Sequence, residues 1–263
     1  MSDPVTLHVE SHGEGAPLVL AHGFGGSARN WRPQIRALRG RQRVIVYDAR
    51  GHARSEAPRS PDAYTPALLV EDLERVLAER APGEPAVVGG LSMGAGIALR
   101  FALSDASRAR GLVLMAPPPG RKPGVARGFA RDFADAIERD GLDAAGDRYA
   151  WGAASGLDPA SGRLVRQGFL EHPPHALVHL LRNVLDTWHS ADEQAEALGQ
   201  LRIPCLIVVG ARDALSLGEA RALAERIPGA RLEIVPDAGH VVNLAARDRV
   251  NALLEAFLSE ISG

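Results

Sequence analysis

The sequence GLSMG at residues 90–94 joins two segments of different character. An apolar run with β propensity precedes it, and a stretch of small, helix-compatible residues follows it. A serine with glycine two residues before and two after it, between a strand and a helix, is typical of a nucleophile elbow. Glycine is needed at both positions because a Cβ atom would collide in so sharp a turn. The turn would expose the Ser92 hydroxyl at a helix N-terminus, where free N–H groups favour negative charge.

Buried β-type runs alternate with helical segments along most of the chain. The runs are rich in Val, Ile and Leu and lie at 18–21, 44–48, 86–89, 112–115, 206–210 and 231–235. Helical patterns occupy 31–38, 66–80, 92–103, 218–226 and 247–261. This alternation predicts an α/β fold with a mostly parallel sheet covered by helices on both faces. The alternating pattern at 5–10 predicts an antiparallel edge strand, and sites in such sheets form at the carboxyl ends of strands.

The alternation stops after residue 116. Residues 117–200 show no clear strand pattern, yet they contain six of the twelve aromatic residues of the chain. We therefore predict a core formed by 1–116 and 201–263 and a helical cap formed by 117–200, which would cover a pocket. Candidate substrate-binding residues in this cap are Phe129, Phe133, Trp151 and Trp188. The alternative role for such side chains is a small core within the cap itself.

A serine nucleophile needs a base to accept its proton, and the base needs a carboxylate to orient it. Asp213 directly follows the 206–210 run, and His240 closely follows the 231–235 run. Both would therefore lie at strand ends on the same sheet edge as Ser92. The order Ser92, Asp213, His240 is the one that accompanies this kind of elbow, so we predict that these three residues form a catalytic triad.

Other residues could serve as acid or base, but each has a simpler structural role. Asp237 is close to His240 in sequence, yet it lies in a Pro-Asp-Ala-Gly segment that is typical of a turn. Ala116 and Pro117 follow the 112–115 run and offer no carboxylate. His22 and His52 lie in loops where their side chains can hydrogen-bond to the backbone, so we expect them to order those loops.

Two backbone N–H groups are candidates for an oxyanion hole. One belongs to Met93, the residue after the nucleophile. The other belongs to Phe24 in the glycine-rich segment HGFGGS at 22–27, which follows the 18–21 run. Its glycines would let the backbone approach a substrate closely. The alternative is a glycine-rich turn without a ligand.

Composition argues against several classes of function. A net charge of −2 with 46% hydrophobic residues describes a globular chain and not a general nucleic-acid-binding protein. No apolar run approaches the roughly 20 residues that cross a bilayer, and no signal-peptide pattern is visible, so we expect a cytoplasmic protein. The one cysteine, Cys205, allows no intramolecular disulfide and is expected to be buried.

A metal site is the remaining alternative for the histidines near the middle of the chain. His175 and His179 would share one face of a helix at i, i+4 spacing. No H-E-x-x-H pattern is present and no carboxylate ligand is obvious, so we expect neither a metal nor a cofactor.

The chain resembles the α/β-hydrolase superfamily over essentially its whole length. The matching segments are HGFGGS at 22–27, DARGH at 48–52, the elbow, GARD at 210–213 and GH at 239–240. The resemblance implies a catalytic role for Ser92, Asp213 and His240 and an inserted helical lid. It is nearest to a branch of enol-lactonases, carbon–carbon bond hydrolases, cofactor-free haloperoxidase-like esterases and small carboxylesterases. Departures at Ala53 and Ala95, where relatives commonly have glycine, affect the choice of branch.

Three functions follow from these observations. We expect a serine hydrolase that cleaves small carboxylic esters or lactones, as a monomer or small homo-oligomer. An alternative is a carbon–carbon bond hydrolase or 3-oxoadipate enol-lactonase-like enzyme, in which cap arginines would bind a substrate carboxylate. The candidates for that role are Arg121, Arg127, Arg131, Arg148, Arg163, Arg166 and Arg182. A third possibility is a ligand receptor on the same fold that hydrolyses slowly or not at all.

Overall fold

A seven-stranded sheet forms the centre of the molecule in the computed structural model, which describes residues 4–120, 126–152, 157 and 159–261. The strands are β1 (Val9–His12), β2 (Pro17–Ala21), β3 (Arg43–Tyr47), β4 (Ala86–Leu91), β5 (Ala109–Met115), β6 (Cys205–Gly210) and β7 (Arg231–Val235). Their order across the sheet is β1-β3-β2-β4-β5-β6-β7. β1 is antiparallel to β3, and every other neighbouring pair is parallel. The carboxyl ends of β2 to β7 therefore lie along one edge of the sheet.

Helices flank this sheet and fill the interval between β5 and β6. They are α1 (Arg32–Leu38), α2 (Pro66–Arg80), α3 (Met93–Ser104), α4 (Ala126–Tyr149), α5 (Pro159–Leu170), α6 (Pro174–Asn183), α7 (Ala195–Gln200), α8 (Leu217–Arg226), α9 (Val242–Ala245) and α10 (Arg247–Glu260). α2 begins as its sequence predicts, because Pro66 is its first residue and the Thr65 hydroxyl accepts a hydrogen bond from the Leu68 N–H. Within the described ranges, none of these helices combines the length and hydropathy that a bilayer crossing requires.

The core has two layers, one on each face of the sheet. Neighbouring strand residues point to opposite faces, so Leu18 packs in one layer and Val19 in the other. Cys205, at the start of β6, is buried as expected, and burial raises the pKa of its thiol to about 12.

Two strand predictions need correction, and both concern the edges of the sheet. The first strand begins at Val9 and not at residue 5, because residues 6 and 8 are paired with the loop after β3. The Asp48 N–H donates to His8 O at 2.9 Å, and the Glu56 N–H donates to Thr6 O at 2.9 Å. β7 was predicted to be a buried strand, and most of it is not buried. It forms the other edge of the sheet, and Ile234 is 39% exposed there.

Between β5 and β6, the described residues form α4 to α7 and no strand, and we call these four helices, with the described segments that join them, the helical insertion. α4 packs against both α5 and α6. The helical path of α4 is interrupted at Gly141, whose φ of 84° is accessible to glycine at little cost. The insertion follows the carboxyl end of β5, so it leaves the sheet on the edge to which the predicted site residues belong.

Candidate active site

The turn between β4 and α3 has the geometry expected of an elbow. Ser92 has φ 52° and ψ −115°, a conformation that non-glycine residues rarely adopt. A Cβ atom on Gly90 would lie 2.4 Å from the Gly94 carbonyl carbon, and one on Gly94 would lie 2.0 Å from Ala21 O. Both glycines are therefore required by sterics. The Ser92 N–H donates to Met115 O at 2.9 Å, so the neighbouring strand helps to hold the strained residue.

His240 and Asp213 form a close pair at the ends of β7 and β6. The distance from His240 Nδ1 to Asp213 Oδ2 is 2.8 Å, and the other carboxylate oxygen accepts the N–H groups of Leu215 and Ser216. Burial opposes ionisation of Asp213, but the hydrogen bonds from His240 and Ser216 outweigh it and lower the pKa of the carboxyl. An ionised partner at Nδ1 places the ring hydrogen there and leaves Nε2 free to accept a proton.

Ser92 and His240 line the same cavity. No hydrogen bond joins Ser92 Oγ to His240 Nε2 in the part of the chain that the structure describes. Hydrogen bonds between a nucleophile and its base are commonly long in the absence of substrate and tighten when one binds. The structure therefore brings the three residues to one cavity with the base–carboxylate contact formed and the nucleophile–base contact open.

The glycine loop, residues 22–28, follows β2 and faces the elbow. The Gly26 N–H donates to Gly23 O at 3.0 Å, which closes a turn whose third residue, Gly25, has φ 68°. The Gly25 N–H donates to His52 Nε2 at 3.1 Å. Among the described residues, none accepts a hydrogen bond from the N–H of Phe24 or of Met93. These two donors, the ones that the sequence predicts for an oxyanion hole, are free to bind a ligand oxygen.

The cavity has a volume of about 540 Å³ and lies between the carboxyl edge of the sheet and the helical insertion. The edge contributes the elbow, the glycine loop and the loops that carry Asp213 and His240. The insertion contributes mainly apolar side chains, namely Phe129, Phe133, Tyr149, Val165, Phe169 and Trp188. A cavity of this size and lining is typical of a site for a small organic molecule.

Three of the four aromatic residues predicted to bind substrate line this cavity, and one does not. Phe129, Phe133 and Trp188 lie on its wall. Trp151 lies outside it, because its ring packs edge-on against Phe169 and its indole N–H donates to Asp147. The structure therefore does not place Trp151 on this wall, and the contacts of its ring and indole N–H lie within the insertion.

Phe169 is a wall residue that sequence reasoning missed. Its ring stacks on Phe133 with centroids 5.8 Å apart, and a Cβ atom on Gly25 would lie 2.3 Å from it. The aromatic enrichment of 117–200 was the signal that pointed to it. That signal counts aromatic residues but does not give the direction in which each ring faces.

Buried histidines next to the glycine loop hold the backbone. His22 Nε2 accepts the Ala49 N–H at 2.9 Å, and its Nδ1–H donates to Gly23 O at 2.8 Å. Burial lowers the pKa of His22 to about 4 and lowers that of His52 well below its ordinary value. Neutral rings with occupied nitrogens order loops, and this geometry matches the structural role that we expected for both.

The alternative carboxylate, Asp237, faces away from this arrangement. It occupies a turn with φ 59°, is exposed and pairs with Arg212. Asp213, and not Asp237, therefore contacts His240.

Three of the seven arginines proposed to bind a substrate carboxylate are engaged elsewhere. Arg131, Arg166 and Arg182 form ion pairs with acidic residues of the insertion or of the turn that follows α6. Arg163 is exposed, whereas Arg148 lines the cavity. Arg121 and the side chain of Arg127 lie outside the described residues.

The described part of the chain contains no group of three or more His, Cys, Asp and Glu side chains that could hold a metal ion. His175 and His179 instead approach carbonyl oxygens, those of Ala57 and Arg59. Because the two histidines lie on one face of α6, both can contact the loop before α2.

Comparisons with known proteins agree with this architecture. A family model described as alpha/beta hydrolase fold matches residues 16–246. A protein of Azorhizobium caulinodans, named provisionally as a carbamate hydrolase, RutD, is 32% identical over 97% of this chain and 96% of its own length.

Two solved structures of similar length share the fold. A thermophilic esterase from Thermogutta terrifontis is 27% identical with a TM-score of 0.87, covering 98% of this chain and 94% of that one. The enol-lactonase from Burkholderia xenovorans LB400 is 27% identical with a TM-score of 0.84, covering 97% of each chain. The predicted fold class is confirmed, and the chain belongs to the alpha/beta hydrolase family.

Proposed function

We propose that this protein is a serine hydrolase that cleaves small apolar carboxylic esters or lactones. The observation that carries the proposal is the convergence of the strained Ser92 and the His240–Asp213 pair on one cavity. The relatives support hydrolysis in general, since they include an esterase and an enol-lactonase. The substrate class is inferred from the cavity itself.

The arrangement supports a two-step acyl transfer. Ser92 Oγ attacks the ester carbonyl carbon while His240 Nε2 accepts its proton, and Asp213 stabilises the imidazolium that results. The N–H groups of Phe24 and Met93 donate to the oxyanion. His240 then gives its proton to the departing alkoxide, which leaves an acyl-enzyme. A water molecule, deprotonated by His240, attacks the acyl carbon and releases the acid and Ser92.

The apolar wall supports an uncharged substrate. Five aromatic side chains of the insertion line the cavity, and its volume of about 540 Å³ admits a molecule with a ring or a short acyl chain. We propose that residues 117–200 act as the cap over this cavity and therefore determine which substrates enter. Phe129, Phe133 and Trp188 are the side chains that we expect to contact the substrate.

The test combines labelling with turnover. A fluorophosphonate probe should modify Ser92, and the wild-type protein should hydrolyse short-chain p-nitrophenyl esters. Ser92→Ala should abolish both while the protein keeps its wild-type melting temperature. A folded Ser92→Ala variant with wild-type esterase activity would show that the proposal is wrong.

A second candidate function is favoured by one observation. Arg148 lines the cavity, and its guanidinium lies 5.1 Å from the centroid of the Tyr149 ring. A substrate with a carboxylate, such as an enol-lactone acid, could pair with it. Comparing kcat/KM on matched carboxylated and uncharged esters separates the two functions, because only the second requires Arg148. If Arg148→Gln lowers kcat/KM for the carboxylated ester but not for the uncharged one, the result favours the second function.

A further inference from the structure

The glycine loop is held from several directions, and most of its hydrogen-bond partners belong to the core. His22, His52 and Asp48 bind the backbone at Gly23, Gly25 and Ala28 with distances of 2.8–3.1 Å. The side chain of Asn30 accepts the Ser27 N–H at 2.7 Å. These bonds fix both ends of the loop and its central peptide. None of these bonds involves the Gly26 carbonyl, whose partner lies outside the core.

That partner is His172, between α5 and α6. Its side chain is buried, with 3% of the residue exposed, and Nε2 lies 2.9 Å from Gly26 O. Nδ1 lies 3.1 Å from Phe169 O in the same turn. Both contacts are carbonyl oxygens, which only accept, so the ring must donate to at least one. The shorter contact places the donated hydrogen on Nε2, toward Gly26.

Two neighbours of His172, namely His52 and Phe169, also contact the glycine loop. Its ring meets His52 edge-on with centroids 5.1 Å apart, and His52 in turn accepts the Gly25 N–H. Phe169 packs on the other side of Gly25. His172 thus joins the helical insertion to the backbone of the loop through a side-chain hydrogen bond. The peptide that follows Phe24 is thus enclosed between the core and the insertion.

We propose that His172 is a positioning residue for the oxyanion hole. By donating to Gly26 O, it holds the glycine loop where the Phe24 N–H faces Ser92. This inference rests on the proposed function, because it assigns Phe24 a role in the reaction. It also means that the seating of the insertion on the loop affects the rate of the chemical step, and not only the choice of substrate.

Without this donor, the carbonyl of the half-buried Gly26 would lose its protein partner, and the turn at Gly25 could relax toward water. Such a relaxation would move the Phe24 N–H away from the oxygen that it must stabilise. An oxyanion donor acts in the transition state, so its misplacement lowers kcat more than it raises KM.

The experiment compares three variants at one junction. His172→Phe keeps a planar ring but removes the donor, and His172→Gln keeps an N–H near the Nε2 position. Glu171→Gln is the matched control, because the side chain of Glu171, next to His172, forms an exposed ion pair with Arg29. Each variant is measured for kcat and KM on p-nitrophenyl butyrate, for affinity toward phenylboronic acid and for melting temperature.

The expected results separate positioning from folding. His172→Phe should lower kcat by about 10-fold to 100-fold with little change in KM, and it should weaken boronate binding by a similar factor. His172→Gln should restore kcat to within about threefold of wild type, and Glu171→Gln should not change it. A folded His172→Phe variant with wild-type kcat would overturn the inference, as would an equal loss in His172→Gln.

A readout that needs no turnover distinguishes this inference from the proposed function. Amide hydrogen exchange in the peptide that covers residues 23–28 should be faster in His172→Phe than in His172→Gln. If the wild type hydrolyses no ester and Ser92 is not labelled, the proposed function fails, while faster exchange still supports the hold on the loop. If esters are hydrolysed but exchange and kcat are unchanged in His172→Phe, only the inference about His172 fails.

Discussion

The carboxyl edge of the sheet and the helical insertion face the same cavity, but different forces hold them in place. Near the edge, Arg50 and Asp72 form a fully buried ion pair with two contacts of 2.6 and 2.8 Å. In the insertion, the ion pair between Arg182 and Glu138 is exposed, with 38% and 53% of the side chains accessible. Aromatic faces, such as the stack of Phe133 on Tyr149, provide the packing there.

This difference predicts that the sheet edge and the insertion tolerate substitution unequally. A buried pair or a steric contact with backbone fails when one partner changes, because nothing else can fill its place. An exposed ion pair loses little when one member changes, because water already solvates both partners. We therefore expect the edge to determine the chemistry and the insertion, apart from His172, to tolerate substitution and to determine which substrates bind.

The largest effect is expected at the edge, in the pair that orients the base. Asp213→Asn should lower kcat by about 10,000-fold, because an amide cannot hold the His240 tautomer or stabilise the imidazolium. The matched control is Asp237→Asn, which changes an exposed carboxylate in a left-handed turn that asparagine also accepts. The measurement is kcat on a p-nitrophenyl ester. Equal losses in the two variants would contradict the assignment of Asp213.

Much of the core could be predicted from the sequence because its signals are local. β2 to β6 lie within a few residues of the predicted runs, since each is a continuous apolar segment buried on both faces. β7 has its predicted bounds, 231–235, but not its predicted burial, and β1 begins four residues later than predicted. An edge strand is defined by what pairs with it, and the loop after β3 that binds residues 6 and 8 has no local pattern.

The site residues also fall into those that the sequence could place and those that it could not. Ser92, Asp213 and His240 could be placed because strand ends of a parallel sheet meet at one edge, and the structure brings them to one cavity. Trp151 could not be told from Phe169, because the direction of each ring depends on how α4 packs against α5. His172 gave no sequence signal as a partner of Gly26, since the two are 146 residues apart.

The next effect concerns the two kinds of ion pair. Asp72→Asn should lower the free energy of unfolding by about 3–5 kcal/mol, because it leaves the buried Arg50 without a countercharge. Glu138→Gln in the insertion should leave that free energy nearly unchanged, because water already solvates both partners and Asp135 still pairs with Arg182. Urea denaturation followed by circular dichroism provides the comparison. Similar losses in both variants would remove the distinction between the two regions.

Acid should destabilise the edge through its buried histidines. Burial lowers the pKa of His22 from 6.5 to about 4, so the unfolded chain takes up a proton that the folded chain refuses. The free energy of unfolding is therefore expected to fall as pH decreases from 6.5 to 4. A tenfold change in proton affinity is about 1.4 kcal/mol, so His22 accounts for a loss of about 3 kcal/mol.

The lowered pKa values of Asp48 and Asp213 matter only below this window, whereas Glu10, whose pKa is lowered from 4.5 to about 2, adds to the loss below pH 4.5. Burial raises the pKa of Asp72, so that carboxyl acts in the opposite sense, and a histidine variant is needed to assign the slope. His22→Gln should be less stable than wild type at pH 8 but should show a shallower loss across this window. Urea unfolding at several pH values measures the slope. An unchanged slope in His22→Gln would mean that His22 is not the group that responds.

The smallest effect is expected in the insertion, and it has the opposite sign. Gly162 lies within α5, and a Cβ atom there would meet no atom within 4 Å. Gly162→Ala should therefore stabilise the protein by about 0.5–1 kcal/mol, because alanine loses less backbone entropy in a helix. The same change at Gly96 in α3 places a Cβ atom 3.1 Å from the Trp188 ring, so the contact offsets the gain. A stabilisation at Gly96 as large as that at Gly162 would show that the core side of the cavity is as tolerant as the insertion.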